Sequence, residues 1–310
     1  MSEPLARAER ILRTAAGERL RTSFPLAPLT SFRLGGPAAL YLEPESDADL
    51  AAAGEAIVAT DIPYVVIGKG SNILVSDAGF PGLVLRLGRG YRWVAREGEL
   101  LRAGGSIPLP ALAGVALRHG LAGLEFGVAI PATLGGAVRM NAGAHGQAMA
   151  DVLERIVTYR LLDGRLETVE AREAGLAYRR SSLRDDAVVT AAAVRLRDGD
   201  PSEIRTHMDE ARGWRRRTQP LAEPNCGSVF TNPAGDHAAR LIEAAGGKGR
   251  RVGGASVSQK HANFIVTEPG ARSSDVLALI RDVQRLVEDS AGVALDPEVR
   301  LIGAFDDARR

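Results

Sequence analysis

At 310 residues the chain is long enough for about two domains, and its 45% apolar and 25% charged residues are ordinary for a globular protein in water. A formal net charge of +1 removes any bulk electrostatic case for nucleic acid or an anionic membrane. The single cysteine, Cys226, excludes an intrachain disulfide and fits a reducing compartment. No run approaches the roughly 18 apolar residues of a membrane span, and charges stand where a signal peptide needs an apolar stretch, so a cytoplasmic protein is expected.

In chain order, residues 2–16 read as a short amphipathic helix with Leu5, Leu12 and Ala16 on one side. Leu29 to Pro37 is expected to be extended, followed by a strand from Ala38 to Leu42. Ser46 with Asp49 three residues on predicts a capping box and a helix to about Ala59. Pro63–Ile67 is a compact β-type run that delivers the chain into Gly68-Lys-Gly-Ser-Asn72, and Ile73–Val75 and Leu83–Leu87 continue as strands.

A second block begins near residue 88, with strands at 93–95 and 100–103 and a helix from Pro108 to about His119. Then comes Phe126 to Gly146, rich in glycine, with Arg139 as its only ionic side chain. Asp163-Gly164 predicts a hairpin between strands 156–162 and 165–169. One helical turn is expected at 173–178 and a strand at 188–196. Asp198-Gly-Asp-Pro201 reads as a domain boundary. Beyond it follow a helix from Ser202 to Arg217, a long loop to Gly235, a helix capped by Asp236 and a strand at 263–266. An amphipathic helix from Ser274 to Ser290 and strands at 293–295 and 299–302 complete the chain.

Two side-chain-poor stretches carry the chemical signal. Glycine at 127, 135, 136 and 143 lets backbone approach a flat or phosphorylated ligand, with Thr133 and Asn141 as candidate hydrogen-bond donors. Gly68-Lys69-Gly70-Ser71-Asn72 resembles part of a phosphate-cradling loop, yet it has neither Walker A spacing nor a Rossmann continuation. Each stretch alone is also compatible with a plain turn or a core crossing; together they could close over a pyrophosphate from two sides. No His/Cys cluster has metal-ligand spacing, so no metal is expected.

Thr30-Ser-Phe-Arg-Leu-Gly-Gly-Pro-Ala38, Gly68–Asn72, Ile130-Pro-Ala-Thr-Leu-Gly-Gly-Ala137 and Asn141-Ala-Gly-Ala144 resemble the flavin-binding half of the UDP-N-acetylenolpyruvoylglucosamine reductase (MurB) family. Tyr178-Arg-Arg-Ser181, Pro224-Asn-Cys-Gly-Ser-Val-Phe-Thr-Asn-Pro233, Lys260-His-Ala-Asn-Phe-Ile265 and Asp296-Pro-Glu-Val-Arg300 resemble its remaining motifs, in the same order. The likeness spans roughly residues 28–303 and fits the compact variety without a tyrosine-lid insertion. It implies an α+β, vanillyl-alcohol-oxidase (PCMH)-type FAD fold. A lead-in at 1–27 would precede FAD-binding subdomains at 28–87 and 88–200 and an α+β substrate-binding domain at 201–310.

The resemblance also implies a reaction. NADPH gives hydride to flavin N5, which passes it to the vinyl carbon of a UDP-linked enolpyruvyl sugar, yielding UDP-N-acetylmuramate for peptidoglycan. Negative charge then builds on the neighbouring carbon and spreads into the carboxylate. Arg179 matches the arginine that grips this carboxylate, Glu298 the glutamate that shares it, and Ser228 the proton donor. Cofactor contacts are implied for Arg33, Ile67, Gly68, Gly70, Ser71, Asn72, Gly127, Ile130, Pro131, Thr133, Gly135, Gly136, Asn141, Gly143 and Arg216. Arg300, two residues beyond Glu298, is expected at the flavin N1–C2=O edge, where positive charge stabilises the reduced ring. Tyr178, Gln219, Asn232 and His261 are the further substrate contacts, Gln219 standing where some members carry a lysine. Substrate and NADPH are expected to take turns in one pocket of a monomer. Cys226 reads as a small packing residue. A flavin oxidase of the same fold is the main rival; it often tethers its flavin through His or Cys, which makes His145 the residue to check.

Overall fold

The computed structural model describes residues 2–305. The chain divides into two compact units, one of residues 1–22, 40–69 and 82–214, the other of residues 23–39, 70–81 and 215–310.

In the first unit, helices α1 (Glu3–Ala16) and α2 (Asp47–Thr60) share a core of Ala8, Leu12, Leu50, Ala53 and Ile57 with Leu40, Leu42, Leu83 and Leu85. The predicted capping box starts α2: Ser46 Oγ accepts the Asp49 amide at 3.4 Å, and Asp49 accepts the Ser46 amide at 3.2 Å. Arg19 adds two bonds to the same carboxylate, at 2.5 and 2.7 Å. Burial alone would raise the Asp49 pKa; the guanidinium and the amides of Glu45 and Ser46 outweigh it and hold the carboxyl below its usual range. Gly54 lets α2 approach the backbone here, because a Cβ there would stand 2.2 Å from the Leu161 carbonyl oxygen.

A five-stranded antiparallel sheet, ordered Arg165–Glu170, Leu153–Arg160, Ala187–Arg195, Leu100–Gly104 and Val94–Glu97, forms the other half of this unit. Its first two strands are the predicted hairpin, closed at Arg160 opposite Arg165. Helices α3 (Leu109–Arg118) and α4 (Leu134–Arg139) supply Leu109, Leu112, Leu134, Ala137 and Val138 to a core with Leu101, Ile156 and Val194. Within the glycine-rich stretch, α4 was not legible from periodicity. Thr133 starts it by accepting the Gly136 amide on its Oγ1 at 3.2 Å. Arg139 donates to the carbonyls of Leu183, Arg184 and Ala187 at 2.7, 2.9 and 3.1 Å, so it anchors a loop. The helical turn expected at 173–178 lies earlier, as a 3₁₀ turn over Ala171–Glu173. Helix α5 (Pro201–Thr218) runs through the division at 214/215.

The second unit is built on α7 (Ser273–Ala291), which follows α6 (Ala238–Ala244). The α7 face of Val276, Leu279, Ile280, Val283 and Val287 is buried with Ala255, Val257 and Ile265 of a three-stranded sheet. Asp77 accepts the Ser273 and Ser274 amides at 2.7 and 3.1 Å, placing a carboxylate at the positive end of the helix. Strands Ile73–Val75 and Arg300–Ile302 pair in parallel, Ile73 opposite Arg300.

Four expectations are corrected in this unit. Leu29–Pro37 is not extended: Thr30 Oγ1 accepts the Leu34 amide at 3.2 Å and donates to its carbonyl at 3.0 Å, winding the segment into turns. Helix α6 begins at Ala238 with His237 as its cap; Asp236 instead accepts the His237 amide at 2.7 Å and pairs with Arg240. Residues 293–295 form no strand, since Gly292 at φ +64° ends α7 and Gln284 Nε2 satisfies the Leu295 carbonyl at 2.8 Å. The strand expected at 263–266 is Ile265–Thr267, paired with Ala255–Val257, which is too short to show periodicity. Among the described residues no helix is long and apolar enough to cross a membrane, and no group of three His, Cys, Asp or Glu side chains is disposed to hold a metal ion.

Candidate functional site

In the first unit the two glycine-bearing stretches meet. A Cβ on Gly68 would lie 2.6 Å from Thr133 Oγ1, and one on Gly136 would meet that same oxygen, at 3.3 Å, and nothing else within 4 Å. Gly68 therefore serves the close approach of Thr133, whereas Gly136 has only that one oxygen near its missing Cβ. Gly135 differs: its missing Cβ points at the carbonyl oxygens of Val189 and Gly105, 3.0 and 3.2 Å away, so glycine there serves close packing on the sheet. Gly127 likewise faces Leu109, and Gly143 the Gln147 carbonyl across a short hairpin. Ile67 is buried, Ile130 half-buried and Pro131 exposed.

Asn141 is buried, and both ends of its carboxamide are committed: Nδ2 donates to the Ala177 carbonyl at 3.0 Å and Oδ1 accepts the Ala150 amide at 2.9 Å. It therefore ties the glycine-rich stretch to the turn that follows Ala177. That turn is tight, because Ala177 and Arg180 exchange both backbone bonds and leave Tyr178 and Arg179 at its tip. The Arg179 guanidinium lies 5.1 Å from the Tyr178 ring centroid, and its Nη2 donates to the Gly143 carbonyl at 3.2 Å. Arg179 has φ +57°, Asn141 +40° and Arg33 +58°, a left-handed conformation costly for side-chain-bearing residues. His145 stands edge-on to Trp214, ring centroids 5.2 Å apart.

In the second unit, Ser228 and Glu298 lie on paired segments. Phe230 bridges Pro297 antiparallel, the Glu298 amide donates to the Val229 carbonyl at 2.7 Å, and the Thr231 amide to that of Asp296 at 2.9 Å. Gly227, at φ +82°, precedes Ser228 with open space where a Cβ would stand. Asn72 joins the group: its Nδ2 donates to the Glu298 carbonyl at 3.2 Å and its own carbonyl accepts the Arg300 amide at 3.1 Å. Glu298 is half-buried, Val299 buried and Arg300 exposed, an alternation that sets the two ionic residues apart from the core side. Burial first, then the charge of Glu298, pushes the Cys226 thiol above its usual pKa, which keeps it an inert packing group.

The remaining predicted contacts are spread around this unit. Gly70 accepts the Ser31 amide at 3.0 Å, beside half-buried Ser71, while Arg33 is exposed. Arg216 is exposed and its carbonyl accepts Lys260 Nζ at 2.6 Å. Its neighbour Arg215, half-buried, donates through Nε to Gln219 Oε1 at 2.8 Å, and desolvation lowers its pKa. Asn232 Oδ1 accepts the Ala238 amide at 3.1 Å at the start of α6. His261 Nδ1 accepts the Asn263 amide at 3.2 Å, which leaves the proton of the neutral ring on Nε2.

Burial, with Lys248 nearby, moves the His261 imidazole below its ordinary pKa. The folded state thus favours the neutral ring. Its contribution to stability is full above the unfolded value of about 6.5 and is lost as pH falls from there through the folded value. An NMR titration of the His261 ring is expected to give a midpoint below about 6.5; a midpoint at or above that value would remove the neutral assignment.

Residues 38–171 match the FAD binding domain family, and residues 219–302 match the C-terminal domain family of UDP-N-acetylenolpyruvoylglucosamine reductase. The chain is 47% identical to a UDP-N-acetylenolpyruvoylglucosamine reductase of Anaeromyxobacter sp. (strain Fw109-5), across 96% of this chain and 93% of that one. It belongs to the UDP-N-acetylenolpyruvoylglucosamine reductase family. The crystal structure of the Thermus caldophilus reductase superposes with a TM-score of 0.80 at 37% identity, over 91% of this chain and 98% of that one. Phl p 4.0202, a glucose dehydrogenase, reaches a TM-score of 0.51 at 11% identity over 93% of this chain and 63% of its own, a likeness of fold alone. The fold is therefore the vanillyl-alcohol-oxidase (PCMH)-type FAD-binding fold, and the chain is an oxidoreductase of peptidoglycan-precursor synthesis with FAD and NADPH as its cofactors.

The residues present suit the flavin. In the first unit the Gly136 backbone has only Thr133 Oγ1 near its missing Cβ; within the second, Ser31 Oγ is buried without a protein partner on the segment whose amide donates to Gly70. Ser31 and the buried Asn263 were not singled out in the sequence, and Arg215 stood there only as a member of the Arg215–Arg217 cluster, with Arg216 preferred. Only Asn263 carried a usable signal: a carboxamide flanked by Ala262 and Phe264 has to find partners inside.

Proposed function

We propose that this protein reduces the enolpyruvyl group of UDP-N-acetylglucosamine enolpyruvate with NADPH, Ser228 supplying the proton. The observation that carries this reading is the pairing of the Ser228 and Glu298 segments through the Glu298 amide and the Val229 carbonyl, 2.7 Å apart. When bound, FAD supplies the two-electron relay between NADPH and the vinyl carbon. Every other task falls to side chains.

Arg179 grips the substrate carboxylate with its planar fork and stays charged as negative charge spreads into that group. Glu298 meets the same carboxylate through a hydrogen bond that needs a proton on its own carboxyl, or through the shared Arg179 guanidinium. Ser228 Oγ–H gives its proton to the carbon beside the one that receives hydride, completing addition of H₂ across the double bond. A hydroxyl suffices as acid because the carbon it protonates is strongly basic. Arg300 would lend positive charge to the reduced flavin, and His261 would offer a neutral N–H to the sugar nucleotide. FAD is carried by residues 28–87 and 88–200 and the sugar nucleotide by residues 201–310. Cytoplasmic and monomeric, the enzyme admits substrate and NADPH in turn to one pocket, since the sequence has no dinucleotide fingerprint.

Anaerobic half-reactions test this reading. NADPH is expected to bleach the bound flavin, and the UDP-linked enolpyruvyl sugar to restore its colour with one equivalent of UDP-N-acetylmuramate formed. Reoxidation by oxygen but not by the sugar nucleotide would favour the oxidase instead.

A further inference from the structure

The segment carrying Ser228 has little reason to hold still by itself. It follows Gly227, a residue at φ +82° with open space at its missing Cβ, and it belongs to no regular strand. Before it the Gly227 amide donates to Asn225 Oδ1 at 2.9 Å, and after it three bonds to Asn263 hold the chain. Val229 donates its amide to the Asn263 carbonyl at 2.9 Å; Phe230 donates its amide to Asn263 Oδ1 at 2.9 Å and accepts from Asn263 Nδ2 at 2.8 Å. A carboxamide has the donor and acceptor of a peptide group, so one side chain completes the rung that a neighbouring strand would otherwise provide. On the other edge the Val229 carbonyl accepts the Glu298 amide. Asn263 is 4% exposed.

We propose that Asn263 is the positioning residue for Ser228: its carboxamide fixes Phe230, and with it the aim of the hydroxyl two residues earlier relative to Glu298. This rests on the proton-donor reading of Ser228. Asparagine is suited where its relatives are not. Aspartate keeps the acceptor for the Phe230 amide but sets an oxygen against the Phe230 carbonyl, and glutamine is a methylene too long. Misplacing a reacting group by about 1 Å costs on the order of 100-fold in rate, while hydride transfer from NADPH does not involve the serine.

The test uses FAD-loaded Asn263→Asp and Asn263→Ala enzymes, compared with Ser228→Ala and the Asn263→Asp/Ser228→Ala double variant. Flavin bleaching by NADPH is expected within about twofold of wild type, and reoxidation by the sugar nucleotide about 10- to 100-fold slower. The solvent deuterium isotope effect on reoxidation should rise, and the double variant should be no slower than Ser228→Ala. Hydrogen exchange of the Val229 and Phe230 amides should accelerate in Asn263→Asp. If Asn263→Ala fails to retain flavin, Asn263→Asp decides alone. Equal slowing of both half-reactions, or additive losses in the double variant, overturns the inference. Slow reoxidation in Ser228→Ala with normal reoxidation in Asn263→Asp overturns the positioning role alone; normal reoxidation in Ser228→Ala overturns the proton-donor reading itself.

Discussion

Ser228→Ala is expected to leave bleaching of the flavin by NADPH within about twofold of wild type and to slow reoxidation by the sugar nucleotide about 10²- to 10⁴-fold, the range that a positioned general acid contributes. The asymmetry between the two half-reactions is the informative quantity. Hydride transfer from NADPH needs no acid at the serine, whereas reduction of the enolpyruvyl group leaves a carbon that has to be protonated before product can form. The substitution removes one hydroxyl at a half-buried position beside an already open glycine, so little packing is lost. Ser228→Cys, which keeps a proton at the same place, is expected to recover part of the rate. Stopped-flow measurement under nitrogen reads both phases. Equal slowing of the two would mean that the hydroxyl serves flavin binding or folding instead of proton delivery.

Much of this architecture was readable beforehand, for reasons that differ from element to element. The α2 start was legible because Ser46 and Asp49 carry their bonding pattern in their spacing, and the structure shows both reciprocal bonds. Asp163-Gly164 announced the hairpin for a similarly local reason. Thr30 was opaque, because its hydroxyl competes with extended backbone only once Leu34 is in reach. Helix α4 was hidden by Gly135 and Gly136, poor helix formers, of which Gly135 packs against the Val189 and Gly105 carbonyls. Asn141 shows the same limit at the site. Its residue type suggests a ligand contact, and the structure adds a structural task, one bond from each end of its carboxamide to Ala150 and Ala177. Polar residue types are visible in a sequence; which of them the fold has already satisfied is a long-range property.

Arg179 offers the second large effect, because its backbone and its side chain pull in opposite directions. At φ +57° it occupies a region that costs a side-chain-bearing residue on the order of 1–2 kcal/mol, and a glycine there would relieve that cost. Against this stand the lost side-chain contacts, those with the Tyr178 ring and the Gly143 carbonyl among them, and the larger unfolded-state entropy of glycine. These effects oppose one another, so Arg179→Gly is expected to shift the thermal midpoint by no more than about 4 °C. Its kcat/KM for the sugar nucleotide is expected to fall about 100-fold or more, since the substrate carboxylate would lose its cationic partner as the charge grows. Arg179→Lys keeps the charge without the fork and should fall in between. An arginine present only to brace the turn at 177–180 would show the reverse, a large drop in midpoint and flavin content with normal turnover per bound flavin. A residue retained in a strained conformation and dispensable for stability is one whose side chain is needed at the place where the strain puts it.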